Sequence, residues 1–124
     1  IFTRFRELLM THKDILLKLE QLEKKARYEQ KNYYNIAHDD RMLAITKDTG
    51  FFYNTLLRIQ KPKRILEIGT STGYSALWFA DAILGQKTTI LTIEQSPKKI
   101  VSKFNAEYFL CINCILFIVF LRIF

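Results

Sequence analysis

The stretch Arg64-Ile65-Leu66-Glu67-Ile68-Gly69-Thr70-Ser71-Thr72-Gly73-Tyr74-Ser75 governs how the rest of the chain is read. Its first half is a short apolar run ending in a glycine-containing turn, which predicts a buried strand. From Tyr74 to about Leu84, the near-periodic Leu77, Trp78, Ala80 and Ile83 predict a helix. Thr88 to Glu94 predicts a second strand, rich in β-branched residues. Strand, turn, helix and strand over about thirty residues make a βαβ unit. Its strands should run parallel with a right-handed crossover. Pro97 is placed to start another helix, because the first helical position needs no amide proton.

The turn carries the chemistry. It lies where a strand gives way to a helix, the place where open α/β sheets bind ligands. Gly69 removes a side chain where the backbone must turn sharply and approach a ligand, and Gly73 permits close approach at the start of the helix. Free amides and the positive end of the helix dipole there favour an anionic group such as a carboxylate. Ser71 stands where the dinucleotide fingerprint G-x-G-x-x-G needs its second glycine, which argues against a pyrophosphate. Glu67, just before the turn, suits a cationic group such as an ammonium. Glu94 closes the second strand and is placed to accept hydrogen bonds from both hydroxyls of a ribose. A lone G-x-x-x-G is more simply a tight turn beside a solvated carboxylate. The two acids and the βαβ frame together shift the expectation to cofactor binding.

Upstream, residues from about Phe5 to Asn35 read as one long helix. Leu8, His12, Ile15, Leu19, Leu22 and Ala26 fall on one stripe, which predicts packing on the same domain, with a short dimerising seam as the alternative. The run Asn35 to Arg41 begins a connection, and His38-Asp39-Asp40 is expected in a turn or helix cap rather than as a metal site. A second helix is expected from about Thr49 to Gln60, capped by Asp48 or Thr49. Phe51, Phe52, Leu56, Leu57 and Ile59 should supply its apolar contacts. Lys61-Pro62-Lys63 ends it.

At these residues the sequence resembles a known family. The segment from Arg64 through Ser75 and on to Leu77 is similar to the first motif of class I O-methyltransferases related to catechol and caffeoyl-coenzyme A methyltransferases. Ile45-Thr46-Lys47-Asp48-Thr49-Gly50, followed by an apolar helix, resembles that family's approach to the motif. The likeness covers roughly residues 20 to 104. It implies a partial Rossmann-like α/β fold and S-adenosylmethionine as cofactor. Glu67 and the backbone near Gly69, with Thr70 and Gly73 in the same turn, would hold the methionine end. Ser75 would bind the methionine carboxylate and Glu94 the ribose, while the segment around Ile45 closes over the cofactor. The implied reaction is direct transfer of the sulfonium methyl group to an oxygen of a small-molecule acceptor, with the protein contributing mainly positioning and electrostatics.

The likeness fails downstream. Family members continue with metal-binding acids and a catalytic lysine, whereas after Glu107 the only charged side chain is Arg122. No downstream carboxylate cluster can therefore hold the divalent metal that the family allows, and no methyl-transfer base can be named. Tyr108 to Phe124 is strongly apolar and has three readings: a short membrane anchor, a buried strand, or a shifted coding frame, of which the last is preferred. As an anchor it falls short of the roughly twenty apolar residues expected for a span. Cys111 and Cys114 share C-x-x-C spacing, but a zinc site needs two more ligands, so two tail cysteines are the simpler reading.

Composition sets the frame. The chain has 124 residues, enough for one small domain, with 49% apolar and 25% charged residues. The formal charge of +7 is largely interleaved with acids on a helix face, which does not favour nucleic acid as a partner. The first residue is Ile1, so the natural start is expected to lie elsewhere. Without a signal-like segment, a cytoplasmic location is expected, with membrane association through the tail as the alternative. The sequence thus divides into a helical region (1–63), a partial S-adenosylmethionine-binding unit (64–107) and an apolar tail (108–124). The enzyme reading is an O-methyltransferase truncated before its catalytic half and expected to be inactive, with poor solubility expected from a two-strand sheet with an open edge. Its rivals are a dinucleotide-binding oxidoreductase fragment and a non-catalytic fragment binding a partner or membrane.

Overall fold

The computed structural model describes residues 10–96 and Lys99 in full, and the backbone of residues 114–118. Helix α1 runs His12–Lys31, helix α2 Lys47–Gln60 and helix α3 Tyr74–Ala82; the strands are β1 Arg64–Ile68, β2 Thr89–Glu94 and β3 Cys114–Ile118. All three strands are parallel in the order β1-β2-β3, with Glu67 opposite Thr92 in the β1–β2 register. The βαβ unit is therefore present, and it belongs to a partial Rossmann-like sheet. The expected two-strand sheet is corrected, because Cys114–Ile118 pairs with Ile90–Glu94 and extends it. Cys111 and the helix expected from Pro97 lie outside the described residues, apart from Lys99, which is helical.

Helix α1 starts later than its periodicity suggests. Thr11 is extended and caps the helix in a reciprocal capping box with Asp14, so Met10 and Thr11 precede the helix instead of belonging to it. Asn32 ends it, and Tyr33–Asn35 and His38–Asp40 are single turns in the connector. The helical stripe works as expected within the molecule. Ile15 and Leu19 are buried in a core shared with Leu77, Trp78, Ala80 and Ile90, while Leu22 and Ala26 pack at its margin. Leu8 lies outside the described residues.

Helix α3 is buried nearly all round because it lies against α1, α2 and β2 at once. Its one buried acid, Asp81, is satisfied from two helices. Asn54 Nδ2 donates to it at 2.9 Å and Arg58 Nη2 at 2.8 Å, both from α2, and His12 Nδ1 of α1 bonds it as well. Burying a carboxylate is costly unless it is paired and hydrogen-bonded, and here that pairing fixes how the three helices meet.

Two expectations about exposure are corrected. Helix α2 buries Gly50 and Asn54, whereas Phe51, Phe52 and Ile59 face outward and Leu56 and Leu57 are half-buried. Gly50 has no side chain to hold α2 away from Trp78, so the polar Gly50–Asn54 face docks and the aromatic face turns away. Its cap is Thr46, whose hydroxyl accepts from the Thr49 amide at 3.2 Å, rather than Asp48 or Thr49. Strand β1 is not a buried strand throughout: Leu66 is 59% and Ile68 81% exposed. Among the described residues it pairs on one side only, with β2. Among the described residues, no helix is long and apolar enough to cross a membrane.

Candidate functional site

The end of β1 feeds into a turn held on β2. The amides of Gly69 and Thr70 both donate to the Ile93 carbonyl, at 2.8 and 3.2 Å, and Gly73 N–H donates to the Thr70 carbonyl at 2.8 Å. Gly69 (φ +92°), Ser71 (φ +45°) and Gly73 (φ +76°) are all left-handed. Two of these are glycines, for which that conformation carries no Cβ penalty. A Cβ at Gly69 would meet nothing within 4 Å, so its missing side chain leaves open space beside the turn. Gly73 caps α3 without a side-chain bond.

Beneath the turn lies a buried acid. Glu67 is 8% exposed, and its carboxylate accepts from Thr92 Oγ1 at 2.5 Å and from the Ser75 hydroxyl. Thr92 has a single hydroxyl proton, so with that proton on Glu67 the 2.6 Å contact to Thr70 must be donated by Thr70. Burial raises the Glu67 pKa above the ordinary value of 4.5, and the Ser75 and Thr92 bonds offset only part of the rise. Thr92 was not singled out from the sequence. The sequence marks it only as a polar residue flanked by Leu91 and Ile93; its place opposite Glu67 comes from the strand register.

A cleft of about 520 Å³ opens over this acid. Glu67, Gly69, Thr70 and Ser75 line one side and Ile45, from the α1–α2 connector, lines the other. Thr72 also lines it, and its Oγ1 is buried without a partner among the described residues. Five of the seven residues singled out from the sequence thus meet at one cleft. Gly73 and Glu94 do not line it. Glu94 lies behind the turn, where it is 8% exposed. Its Oε2 accepts from Ser71 N–H at 2.7 Å and its Oε1 from the Gln95 and Ser96 amides at 2.9 and 2.8 Å. Among the described residues, no group of three or more His, Cys, Asp or Glu side chains comes together as a metal would require. His38, Asp39 and Asp40 form an exposed turn. The described residues therefore do not fit a divalent metal, and no chemical step is assigned to one.

The model of the O-methyltransferase family matches residues 12–108. The chain belongs to that family. A catechol O-methyltransferase of Niastella koreensis is 36% identical over 56 residues, covering 45% of this chain and 25% of its own. The O-methyltransferase of Bacillus cereus, solved in complex with SAH (S-adenosylhomocysteine), superposes with a TM-score of 0.56 at 25% identity. That match covers 81% of this chain and 42% of the other. The SAH-bound methyltransferase PaMTH1 of Podospora anserina gives a TM-score of 0.57 at 28% identity, over 81% and 49% of the two chains. This O-methyltransferase chain therefore spans a quarter to about half the length of these relatives.

Proposed function

We propose that this O-methyltransferase chain binds S-adenosylmethionine in the cleft over Glu67 and serves methyl transfer to an oxygen of a small-molecule acceptor. One observation carries the reading: an acid buried at the end of β1 lines the same cleft as an open glycine turn. A buried carboxylate with a raised pKa gains most from a cationic ligand, because an ammonium supplies the counter-charge that the protein lacks there. The Thr72 hydroxyl, unpartnered among the described residues, adds a second polar group seeking a partner in the cleft.

The chain's own residues then divide the work. Glu67 holds the methionine ammonium. Ser75 now donates its one proton to Glu67 and would turn it to the methionine carboxylate once the ammonium arrives. Gly69, Thr70 and Gly73 let the backbone approach, and Ile45 covers the ligand from the connector. Glu94 does not line the cleft; its Oε2 keeps one lone pair free of backbone amides, and the ribose role implied by the family likeness requires the ligand to reach past the turn to it. Bound S-adenosylmethionine supplies an electrophilic methyl group on its sulfonium.

The dinucleotide alternative is tested directly by calorimetry with the 124-residue chain. S-adenosylhomocysteine is expected to bind at least about tenfold more tightly than NAD, a gap of about 1.4 kcal/mol. Equal or tighter binding of NAD would overturn the reading.

A further inference from the structure

Ser71 has more polar contacts than a turn residue needs. Its backbone is left-handed, where glycine would be unstrained, yet a serine stands there and its side chain is engaged. Lys99 Nζ donates to Ser71 Oγ at 3.2 Å, and the Ser71 hydroxyl bonds the Met42 carbonyl. The directions follow from the groups. An ammonium and a carbonyl leave no choice: Oγ accepts from Lys99 and its single proton goes to Met42.

Met42 is buried and tied at its other side, since its amide donates to Glu29 Oε2 of α1 at 2.6 Å. On the other side of Ser71, its amide holds Glu94 Oε2 at 2.7 Å. One hydrogen-bonded chain therefore runs from Glu29 through Met42 and Ser71 to Glu94. It joins the connector carrying Ile45 to the glycine turn and to the acid closing β2.

We propose that Ser71 is a positioning residue for the cofactor site. Its hydroxyl fixes the connector, and with it Ile45, against the glycine turn, while its amide orients Glu94. The two sides of the site are thereby set relative to each other before ligand arrives. This rests on the S-adenosylmethionine reading above. The side chain that argues against a pyrophosphate here has this as its use. Without it the Met42 carbonyl loses the Ser71 bond, and with it the tie between the connector and the glycine turn.

The test uses S71G and S71A in the full 124-residue chain. S71A removes only the hydroxyl, whereas S71G removes the whole hydroxymethyl group and leaves the left-handed backbone unstrained, so agreement between the two separates loss of the hydroxyl from a folding defect. Both variants should speed exchange of the Met42 amide, the connector amide bonded to Glu29, about threefold to tenfold, the worth of one hydrogen bond, while amides of α3 exchange as in wild type. Both should weaken S-adenosylhomocysteine binding by a similar factor with little change in thermal midpoint. Wild-type exchange in the connector of S71G would overturn the proposal, as would acceleration spread equally through α3. If the unsubstituted chain fails to bind S-adenosylhomocysteine, the cofactor reading falls. The exchange result still decides whether Ser71 ties the connector.

Discussion

Glu67→Gln is expected to lower affinity for S-adenosylhomocysteine by about 10- to 150-fold, the worth of a charge-assisted hydrogen bond, while leaving the fold intact. The amide keeps one acceptor for Ser75 or Thr92 but loses the charge that draws an ammonium. Stability should move the other way, and the sign follows from the pKa. Burial raises Glu67 above 4.5, so the folded state holds its proton to higher pH than the unfolded chain does. Below about pH 4.5 the group is neutral in both states and contributes nothing. As pH rises through the raised value, ionising the buried acid costs folding energy, and stability declines. Glu67→Gln removes that cost, so its thermal midpoint should equal or exceed wild type at pH 8 and converge on it near pH 4. Ligand affinity of the wild type should rise with pH through the same interval, and that dependence should vanish in the variant. Binding within threefold of wild type at neutral pH would show that Glu67 does not meet the ligand.

Gly50→Ala should be the most damaging single-methyl addition. Within a helix, alanine ordinarily gains about 1 kcal/mol over glycine. Here the added Cβ would fall inside contact distance of the Trp78 indole. That ring is buried in the shared core and meets Tyr74 edge-on, with centroids 6.3 Å apart. Overpacking of this kind costs about 1–3 kcal/mol and sometimes more. Because backbone lies on one side of the contact and a rigid ring on the other, the upper end should win. The net loss should be about 2 kcal/mol, or roughly 6–12 °C in thermal midpoint for a chain of 124 residues. Trp78 is the only tryptophan, so its fluorescence reports the transition. Trp78→Phe in the Gly50→Ala background should recover part of the loss, as coupled neighbours do in a double-mutant cycle. A Gly50→Ala protein as stable as wild type would mean that α2 does not dock this closely.

The legible parts of this molecule were those where a local rule fixes the answer. Gly69 and Gly73 mark the turn because it needs left-handed backbone, and Arg64–Glu94 reads as βαβ because its periodicity changes twice. Apolar patterning points to the wrong contacts for helix α2, because apolar side chains usually point inward. Here Gly50 and Asn54 dock, since a bare backbone and a satisfied amide let α2 come closer to α3 than Phe51 or Phe52 would allow. The exposure of Leu66 and Ile68 was not readable from β1 itself, since it depends on whether another element covers that face of the sheet. At the site, residue identities were legible but partners were not. Nothing local says that Ser75 bonds Glu67, that Thr92 completes that network, or that three backbone amides occupy Glu94. These depend on strand register and on where the turn folds over β2.

The most direct test of the cofactor site is an amide chemical-shift titration of the 124-residue chain with S-adenosylhomocysteine. Shifts should concentrate at Ile45, Gly69 to Ser75 and the amides beside Glu94, with α1 between Lys18 and Lys25 unmoved. Shifts confined to other segments, or none at saturating ligand, would contradict a cofactor site over Glu67.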